Sequence, residues 1–152
     1  MGQLPASILA FALIAALAFA AVGDWRHRII PNGLNLAIAL SAPLWWWAHG
    51  WNLWPDIAVQ LALATAVFAL FAGMFALGGM GGGDVKLLTS LALWFPLGPF
   101  FNLLTVMAVL GGVLTLVMMV RHRMQRAEGR IEVPYGIAIA FAGMFSLSRT
   151  LF

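Results

Sequence analysis

Cysteine is absent from this sequence of 152 residues, and charged residues make up only 9% of it. Without cysteine the chain cannot form disulfides, a cysteine-ligated zinc site or a thiol nucleophile. The absence of cysteine does not indicate whether the protein lies in an oxidising or a reducing compartment. An average soluble protein carries about 25% charged residues, so the low charge excludes an ordinary soluble domain. The net charge of +3 is small, and no nucleic-acid partner is expected.

Hydrophobic residues fill the sequence instead and make up 63% of it. The average is about 45–50%. A soluble domain of this size could not bury so much apolar surface, so the sequence predicts an integral membrane protein in contact with the lipid bilayer. Because the apolar runs continue along the whole length, we expect one transmembrane domain over residues 1–152, without a soluble appendage.

Polar breaks and prolines divide the sequence into six apolar runs, and about 20 residues suffice for a helix to cross a bilayer. The first run is interpreted as a retained span and not as a signal peptide, because no lysine or arginine precedes it. The fourth run is so short that it could begin inside the membrane. We therefore predict an all-α protein with six transmembrane helices, at residues 4–23, 31–48, 55–77, 84–95, 100–120 and 131–152.

Lysine and arginine follow a pattern that orients these helices. They lie in or beside the first, third and fifth loops, and Arg149 alone falls on the other side. By the positive-inside rule, the odd-numbered loops face the cytoplasm and both termini lie outside. Asp24 and Asp84 then share the cytoplasmic side, whereas Asp56 lies opposite and is expected to cap a helix. The basic residues of the odd-numbered loops are Arg26, Arg28, Lys86, Arg121, Arg123, Arg126 and Arg130.

Tryptophans gather around the second loop, at Trp45, Trp46, Trp47, Trp51 and Trp54. Tryptophan favours the headgroup region of a membrane, where its ring is partly apolar and its N–H reaches water. We therefore interpret this cluster as a membrane-interface anchor and not as a platform for a sugar or a cofactor.

A glycine-rich stretch at residues 78–86 carries a carboxylate and an amine between long apolar runs. Glycine lets another chain approach closely, and an ionisable group at such a place is expected to be functional. Gly81, Gly83, Asp84 and Lys86 are therefore candidate site residues. Two simpler interpretations stay open. Asp84 could cap the helix that follows it, and Lys86 could be an orienting charge that reaches the membrane surface.

Two carboxylates, Asp24 and Asp84, at one edge of the membrane suggest an aspartyl hydrolase. An ionised aspartate would take a proton from water while a protonated one donates to the amide being split. Two adjacent carboxylates cannot both ionise easily, so the pair is expected to share one proton. Asp84 is the preferred anion because it should lie at a helix N-terminus near Lys86. Alternatively, Asp24 could simply pair with Arg26 or Arg28.

Histidine offers no metal chemistry, because the three histidines are scattered between the two predicted membrane faces. No metal site and no cofactor are therefore expected. Two other classes of function stay open. A proton- or cation-coupled transporter would need acids near the bilayer midplane or reachable from both sides. A non-catalytic assembly subunit would tolerate the loss of either aspartate.

Three segments resemble the type IV prepilin peptidases, in particular the short form associated with tight-adherence (Flp-type) pili. The first is Asp24 with the Ile-Pro-Asn sequence at residues 30–32. The second is Gly81 to Asp84 with Lys86, which fits the G-x-G-D-x-K signature of intramembrane aspartyl proteases. The third is the Pro-Tyr-Gly sequence at residues 134–136, which resembles the opening of the family's last helix.

The resemblance implies a membrane aspartyl endopeptidase of the GxGD class, with Asp24 and Asp84 as the catalytic pair. Its substrates would be prepilins and pseudopilins, cleaved at the cytoplasmic face of the inner membrane. Gly81 and Gly83 would let the extended substrate reach Asp84, and Pro134 and Gly136 would shape the site from the last helix. If the resemblance misleads, a transporter or a non-catalytic subunit for pilus assembly is the alternative.

The resemblance has one departure. Long prepilin peptidases carry a cytoplasmic insertion with paired cysteines and also methylate the new amino terminus, whereas this sequence contains neither the insertion nor cysteine. We therefore expect proteolysis without N-methylation, and neither S-adenosylmethionine nor zinc as a cofactor. The resemblance implies nothing about the oligomeric state.

Overall fold

The computed structural model describes residues 3–124 and 133–151, and all regular structure in these ranges is helical, without a strand. The predicted all-α class is confirmed. A wide turn at Leu53–Ile57 precedes the third helix. The helices are α1 (Gln3–His27), α2 (Asn32–Ala48), α3 (Ala58–Ala76), α4 (Gly82–Ala92), α5 (Leu97–Met124) and α6 (Tyr135–Leu151).

Some of these helices are long and apolar enough to cross a membrane. Large side chains on them, such as Phe11, Leu70 and Leu116, are exposed, which suits surfaces that face lipid and not water. Helices α2, α4 and α6 are shorter, with 17, 11 and 17 residues. The side of the membrane that each terminus faces stays a prediction. Within the described residues, the candidate spans are Leu4–His27, Leu53–Ala76 and Leu97–Met124.

Two helices run past their predicted ends, because backbone hydrogen bonds continue through polar residues as well as apolar ones. Helix α1 continues to His27, so Asp24 lies in its last turns and not in a loop. Arg28 follows with a positive φ of 56°, a conformation typical of the residue just after a helix. Helix α5 continues to Met124. The rest of the predicted fifth loop, residues 125–130, lies outside the described residues.

Helices α4 and α6 form the centre of the bundle. Helix α4 packs against α2, α3 and α6, and α6 packs against α1, α5 and α4. Leu87 and Leu91 of α4 and Ile139 of α6 are fully buried. The end of α1 meets the beginnings of α2, α4 and α6 at one end of the bundle. We call this the aspartate end, because it contains Asp24 and Asp84.

The carboxyl-terminal end of α4 is buried, and side chains from neighbouring helices satisfy its carbonyl groups. Gln60 of α3 donates from Nε2 to the carbonyl oxygens of Ala92 at 2.6 Å and Phe95 at 2.7 Å. Trp46 of α2 donates from Nε1 to the carbonyl oxygen of Leu93 at 2.8 Å. The last carbonyls of a helix have no partner within it, so these bonds hold α4 at a fixed depth in the bundle.

The tryptophans near the second loop divide between the core and the surface. Trp45 and Trp46 are buried, and the ring of Trp45 packs 5.0 Å from that of Trp94. The prediction of a membrane-interface anchor is therefore wrong for these two residues. Trp47 and Trp54 are 75% and 81% exposed, as an anchor would be. Successive residues of a helix point in different directions, so three adjacent tryptophans cannot share one environment.

Candidate active site

Asp24 lies in the last turns of α1 and is only 6% exposed. Its Oδ2 atom accepts a hydrogen bond of 3.2 Å from the Ile137 N–H in the first turn of α6. The same N–H lies 3.3 Å from the carbonyl oxygen of Pro134. The first N–H groups of a helix have a partial positive charge that favours an anion. Asp24 therefore joins the end of α1 to the beginning of α6.

Pro134 and Gly136, both expected to shape the site, lie at the beginning of α6. Pro134 is fully buried, and α6 begins at the next residue, which is later than predicted. A methyl group on Gly136 would lie 2.9 Å from both Cγ and Oδ2 of Asp24. Glycine therefore makes room for the carboxylate. Between them, the Tyr135 hydroxyl lies 3.3 Å from that of Thr115 in α5, which anchors this segment.

Asp84 lies in the first turn of α4 and is 8% exposed. Gly81 is the N-cap residue of this helix, and its N–H donates to the Asp84 carboxylate. A methyl group on Gly81 would lie 2.9 Å from Asp84 Oδ2. The hydrogen bond from the Gly81 N–H is half of a capping box, in which the side chain of the third helical residue accepts the N–H of the N-cap residue. Asp84 is thus not the N-cap residue itself, but its carboxylate accepts the N–H of that residue, which holds the carboxylate in one orientation.

The structure brings Asp24 and Asp84 together at the aspartate end, although they are far apart in the sequence. Their carboxylates are close enough for each charge to act on the other. Ile30, in the link between α1 and α2, is adjacent to Gly83 on one side and to Gly136 on the other. The link after Asp24 therefore reaches the beginning of α4, which carries Asp84 in its first turn.

Arg28 also belongs to this site, and it is one of the two arginines that were considered as partners of Asp24. Its charge interacts with that of Asp24, and its backbone N–H donates to the Asp24 carbonyl oxygen at 3.1 Å. The interaction with Arg28 does not replace the contacts with α6. Asp24 instead has the N–H groups of Ile137 and Gly136 from α6 as donors, and the charge of Arg28 from its own segment.

A row of hydrogen bonds joins α2 to α4 beside the two aspartates. Lys86 donates from Nζ to Asn32 Oδ1 at 2.7 Å. Asn35 donates from Nδ2 to the Gly83 carbonyl oxygen at 3.3 Å. Ser90 donates from Oγ to the Asn35 carbonyl oxygen at 3.0 Å. We call these five residues the α2–α4 seam, and it fixes the helix that carries Asp84 against the helix that follows Asp24.

Sequence reasoning singled out Lys86 but missed Asn35 and Ser90. The available signal was spacing, because polar residues three or four apart in an apolar run share one helix face. Asn35 is buried, and its Oδ1 atom accepts no hydrogen bond from the described residues. A buried acceptor without a partner costs about 1–3 kcal/mol. The presence of asparagine at this position is therefore explained by its Nδ2 group, which donates to the Gly83 carbonyl oxygen.

The glycines before Asp84 were expected to admit the backbone of a substrate. In the structure, the space beside Gly81, Gly82 and Gly83 is taken by the protein's own side chains. Methyl groups on Gly82 and Gly83 would lie 3.3 Å from the Phe75 ring and from Ile30 Cβ, respectively. A substrate strand would therefore enter alongside these side chains or displace them.

Asp56 lies at the opposite end of the bundle, where it is exposed. Its Oδ2 atom accepts a hydrogen bond of 3.0 Å from the Asn52 N–H, so it caps the turn before α3 from within that turn and is not itself the N-cap residue. Among the described residues, no cluster of three or more histidine, aspartate or glutamate side chains could hold a metal ion. The arrangement at the aspartate end supports acid–base chemistry by two carboxylates.

Known proteins resemble this chain over most of its length. The family model described as "Type IV leader peptidase family" matches residues 11–116, a range that contains both Asp24 and Asp84 but neither Pro134 nor Gly136. A "Prepilin leader peptidase/N-methyltransferase" of Stutzerimonas stutzeri is 34% identical over 137 residues, which are 82% of this chain and 43% of that protein.

A protein of the same name from Burkholderia pseudomallei (strain 1026b) is 30% identical over 156 residues, which are 96% of this chain and 48% of that protein. The chain thus spans less than half the length of these curated relatives. No solved structure matches the chain.

Proposed function

This chain belongs to the type IV leader peptidase family, and from that premise we propose that it is a membrane aspartyl endopeptidase. Its substrates are prepilins and pseudopilins, whose leader peptides it cleaves at the cytoplasmic face of the inner membrane. The observation that carries the proposal is the burial of Asp24 and Asp84 at the same end of the bundle, where their charges interact and each carboxylate lies at the beginning of a helix.

In the proposed reaction, one aspartate takes a proton from water and the resulting hydroxide attacks the carbonyl carbon of the scissile peptide bond. The other aspartate donates its proton to the leaving nitrogen, and the C–N bond breaks. One proton is thus removed and one is delivered, so the pair ends with its protonation exchanged. A proton transfer between the carboxylates or with water restores the starting state.

The donors around the pair favour Asp24 as the ionised partner, opposite to the expectation from the sequence. Asp24 is stabilised as an anion by the N–H groups of Gly136 and Ile137 and by the charge of Arg28. Asp84 has the N–H of Gly81. Lys86, which was expected to support an anion at Asp84, donates to Asn32 instead. We therefore assign Asp24 as the base and Asp84 as the acid.

The decisive experiment replaces each aspartate with asparagine and follows cleavage of a co-expressed prepilin in membranes. Asparagine keeps an oxygen that can accept the capping hydrogen bond but cannot carry the proton, so the variants should insert normally. We expect Asp24→Asn and Asp84→Asn each to lower the cleavage rate by about a thousandfold or more. Asp56→Asn, at the other end, is the matched control and should cleave normally.

The same experiment separates the peptidase from a non-catalytic subunit. Both aspartates accept backbone hydrogen bonds at helix starts, which is also what purely structural residues would do. If either asparagine variant processed prepilin at the normal rate, the two-carboxylate mechanism would be wrong. A proton or cation relay is disfavoured, because both acids lie at one end of the bundle and a relay needs access from both sides.

We further propose that the 152-residue chain acts on Flp-type prepilins and does not methylate the new amino terminus. The resemblance to the short, tight-adherence form supports the first part, and the absence of cysteine supports the second. Purified protein incubated with a prepilin and S-adenosylmethionine labelled in its methyl group should release the leader without labelling the pilin. Label in the mature pilin would overturn the second part, and faster cleavage of another prepilin class would overturn the first.

A further inference from the structure

Two adjacent isoleucines in the link between α1 and α2 have opposite environments. Ile29 is 65% exposed, whereas Ile30 is 6% exposed. The link is short, because α1 ends at His27 and α2 begins at Asn32. Pro31, with φ of −60°, follows Ile30 directly and restricts the backbone at the point where α2 begins.

The buried side chain of Ile30 fills the space that two glycines leave. A methyl group on Gly83 would lie 3.3 Å from Ile30 Cβ, and one on Gly136 would lie 2.8 Å from Ile30 Cδ1. Gly83 directly precedes Asp84 at the start of α4, and Gly136 faces the Asp24 carboxylate at the start of α6. The two ends of one isoleucine side chain therefore touch the two segments that hold the aspartates.

We propose that Ile30 is a wedge that sets the separation of the two carboxylates, and thus a positioning residue of the proposed peptidase. Each segment that Ile30 touches is also held by a hydrogen bond with another helix. Asn35 holds the Gly83 carbonyl, and Asp24 holds the Ile137 N–H. Isoleucine is stiff because it branches at Cβ, so it acts as a spacer of fixed width.

The proposal rests on the proposed function, and kinetics test the part that concerns the reaction. Ile30→Ala should lower kcat for prepilin cleavage by roughly tenfold to a hundredfold, because misplacement by about 1 Å can cost that much. KM should change by less than about twofold, since the wedge acts on the aspartates and not on the leader. Ile30→Val should fall between, and Ile29→Ala, the exposed neighbour, should match the wild type.

A cross-linking experiment measures the separation without requiring activity. The natural sequence has no cysteine, so Asp24→Cys with Asp84→Cys introduces the only thiols. Bis-maleimides of graded length are applied in membranes, with Ile30 or with Ile30→Ala. Because the two segments should close over the missing side chain, we expect the most efficient linker to become shorter with Ile30→Ala. If that variant fails to insert, Ile30→Val serves in its place, with a smaller shift in the same direction.

An unchanged preference for linker length would overturn the wedge, and so would a normal kcat for Ile30→Ala or a loss confined to KM. The failure of the proposed function would look different. In that case the asparagine variants of Asp24 and Asp84 would stay active while the linker preference still shifted with Ile30→Ala.

Discussion

The two ends of the helix bundle hold their aspartates in different ways. At the aspartate end, Asp24 is buried and accepts a hydrogen bond from Ile137, which lies 113 residues away in the sequence. At the opposite end, Asp56 is exposed and accepts one from Asn52, a near neighbour. An exposed cap needs only local partners and water, whereas a buried carboxyl group needs partners that the whole fold supplies. Burial with distant partners is therefore what distinguishes the candidate site from an ordinary helix cap.

The largest effect outside the aspartates themselves is expected from Gly136→Ala. The added methyl group would meet the carboxylate of Asp24 and the side chain of Ile30 at less than 3.0 Å, so both must move. We expect a loss of cleavage rate of about a hundredfold, as for other misplaced catalytic groups. The measurement is the rate of prepilin cleavage by purified protein.

The control for this variant is Gly112→Ala in α5, where a methyl group would meet nothing within 4 Å. It should cleave at the normal rate. Alanine favours a helix over glycine by about 1 kcal/mol, which offsets part of the stability lost through the contacts of the new methyl group. We therefore expect Gly136→Ala to stay folded at the assay temperature while its cleavage rate falls. Normal cleavage by Gly136→Ala would show that the contact between α6 and Asp24 has no part in the site.

Gln60→Leu tests the opposite end, where we expect an effect on stability. This change leaves the buried carbonyls of Ala92 and Phe95 without their donor, which should cost about 1–3 kcal/mol. The measurement is thermal unfolding in detergent. Thr65→Val, on the exposed face of the same helix, is the control and should unfold like the wild type.

Cleavage per folded molecule should change little in Gln60→Leu, because the lost bonds lie at the end of α4 away from Asp84. A loss of cleavage much larger than the loss of folded protein would contradict the view that only the aspartate end takes part in the reaction and that the opposite end serves stability.

The smallest effect is expected from Lys86→Met. It removes an exposed hydrogen bond to Asn32 but leaves the buried part of the α2–α4 seam intact, and exposed polar pairs contribute about 0–1 kcal/mol. We expect cleavage to fall by no more than about threefold. A loss as large as that of an aspartate variant would place the Lys86 ammonium in the reaction itself.

Hydropathy was sufficient to predict the helices and the class of the fold, because apolar runs long enough to span a membrane form helices there. It placed the helix ends less well. The first helix was predicted to end at residue 23, before the charged residues, whereas α1 continues through Asp24 to His27. The backbone hydrogen bonds that define a helix do not depend on whether its side chains are apolar.

Lateral contacts between helices could not be predicted from a single sequence. The burial of Trp45 and Trp46 depends on which face of α2 meets α4, and hydropathy is uniform around such helices. Spacing could assign Asn35 and Ser90 to the polar faces of their helices, but not the bonds that they make across the α2–α4 seam. Asp84 was expected to be the anion partly because Lys86 is near it in the sequence. Spacing along the chain does not determine the direction of a side chain, and Lys86 points to Asn32 instead.

The central claim is that Asp24 and Asp84 act as a single unit, and a double-mutant cycle tests it most directly. Residual prepilin cleavage is measured over long incubations for Asp24→Asn, Asp84→Asn and the double variant, in purified protein shown to be folded. Residues that act as a unit are strongly non-additive, so the double variant should be about as slow as either single variant. Losses that multiply in the double variant, or a single variant that keeps the normal rate, would contradict the account.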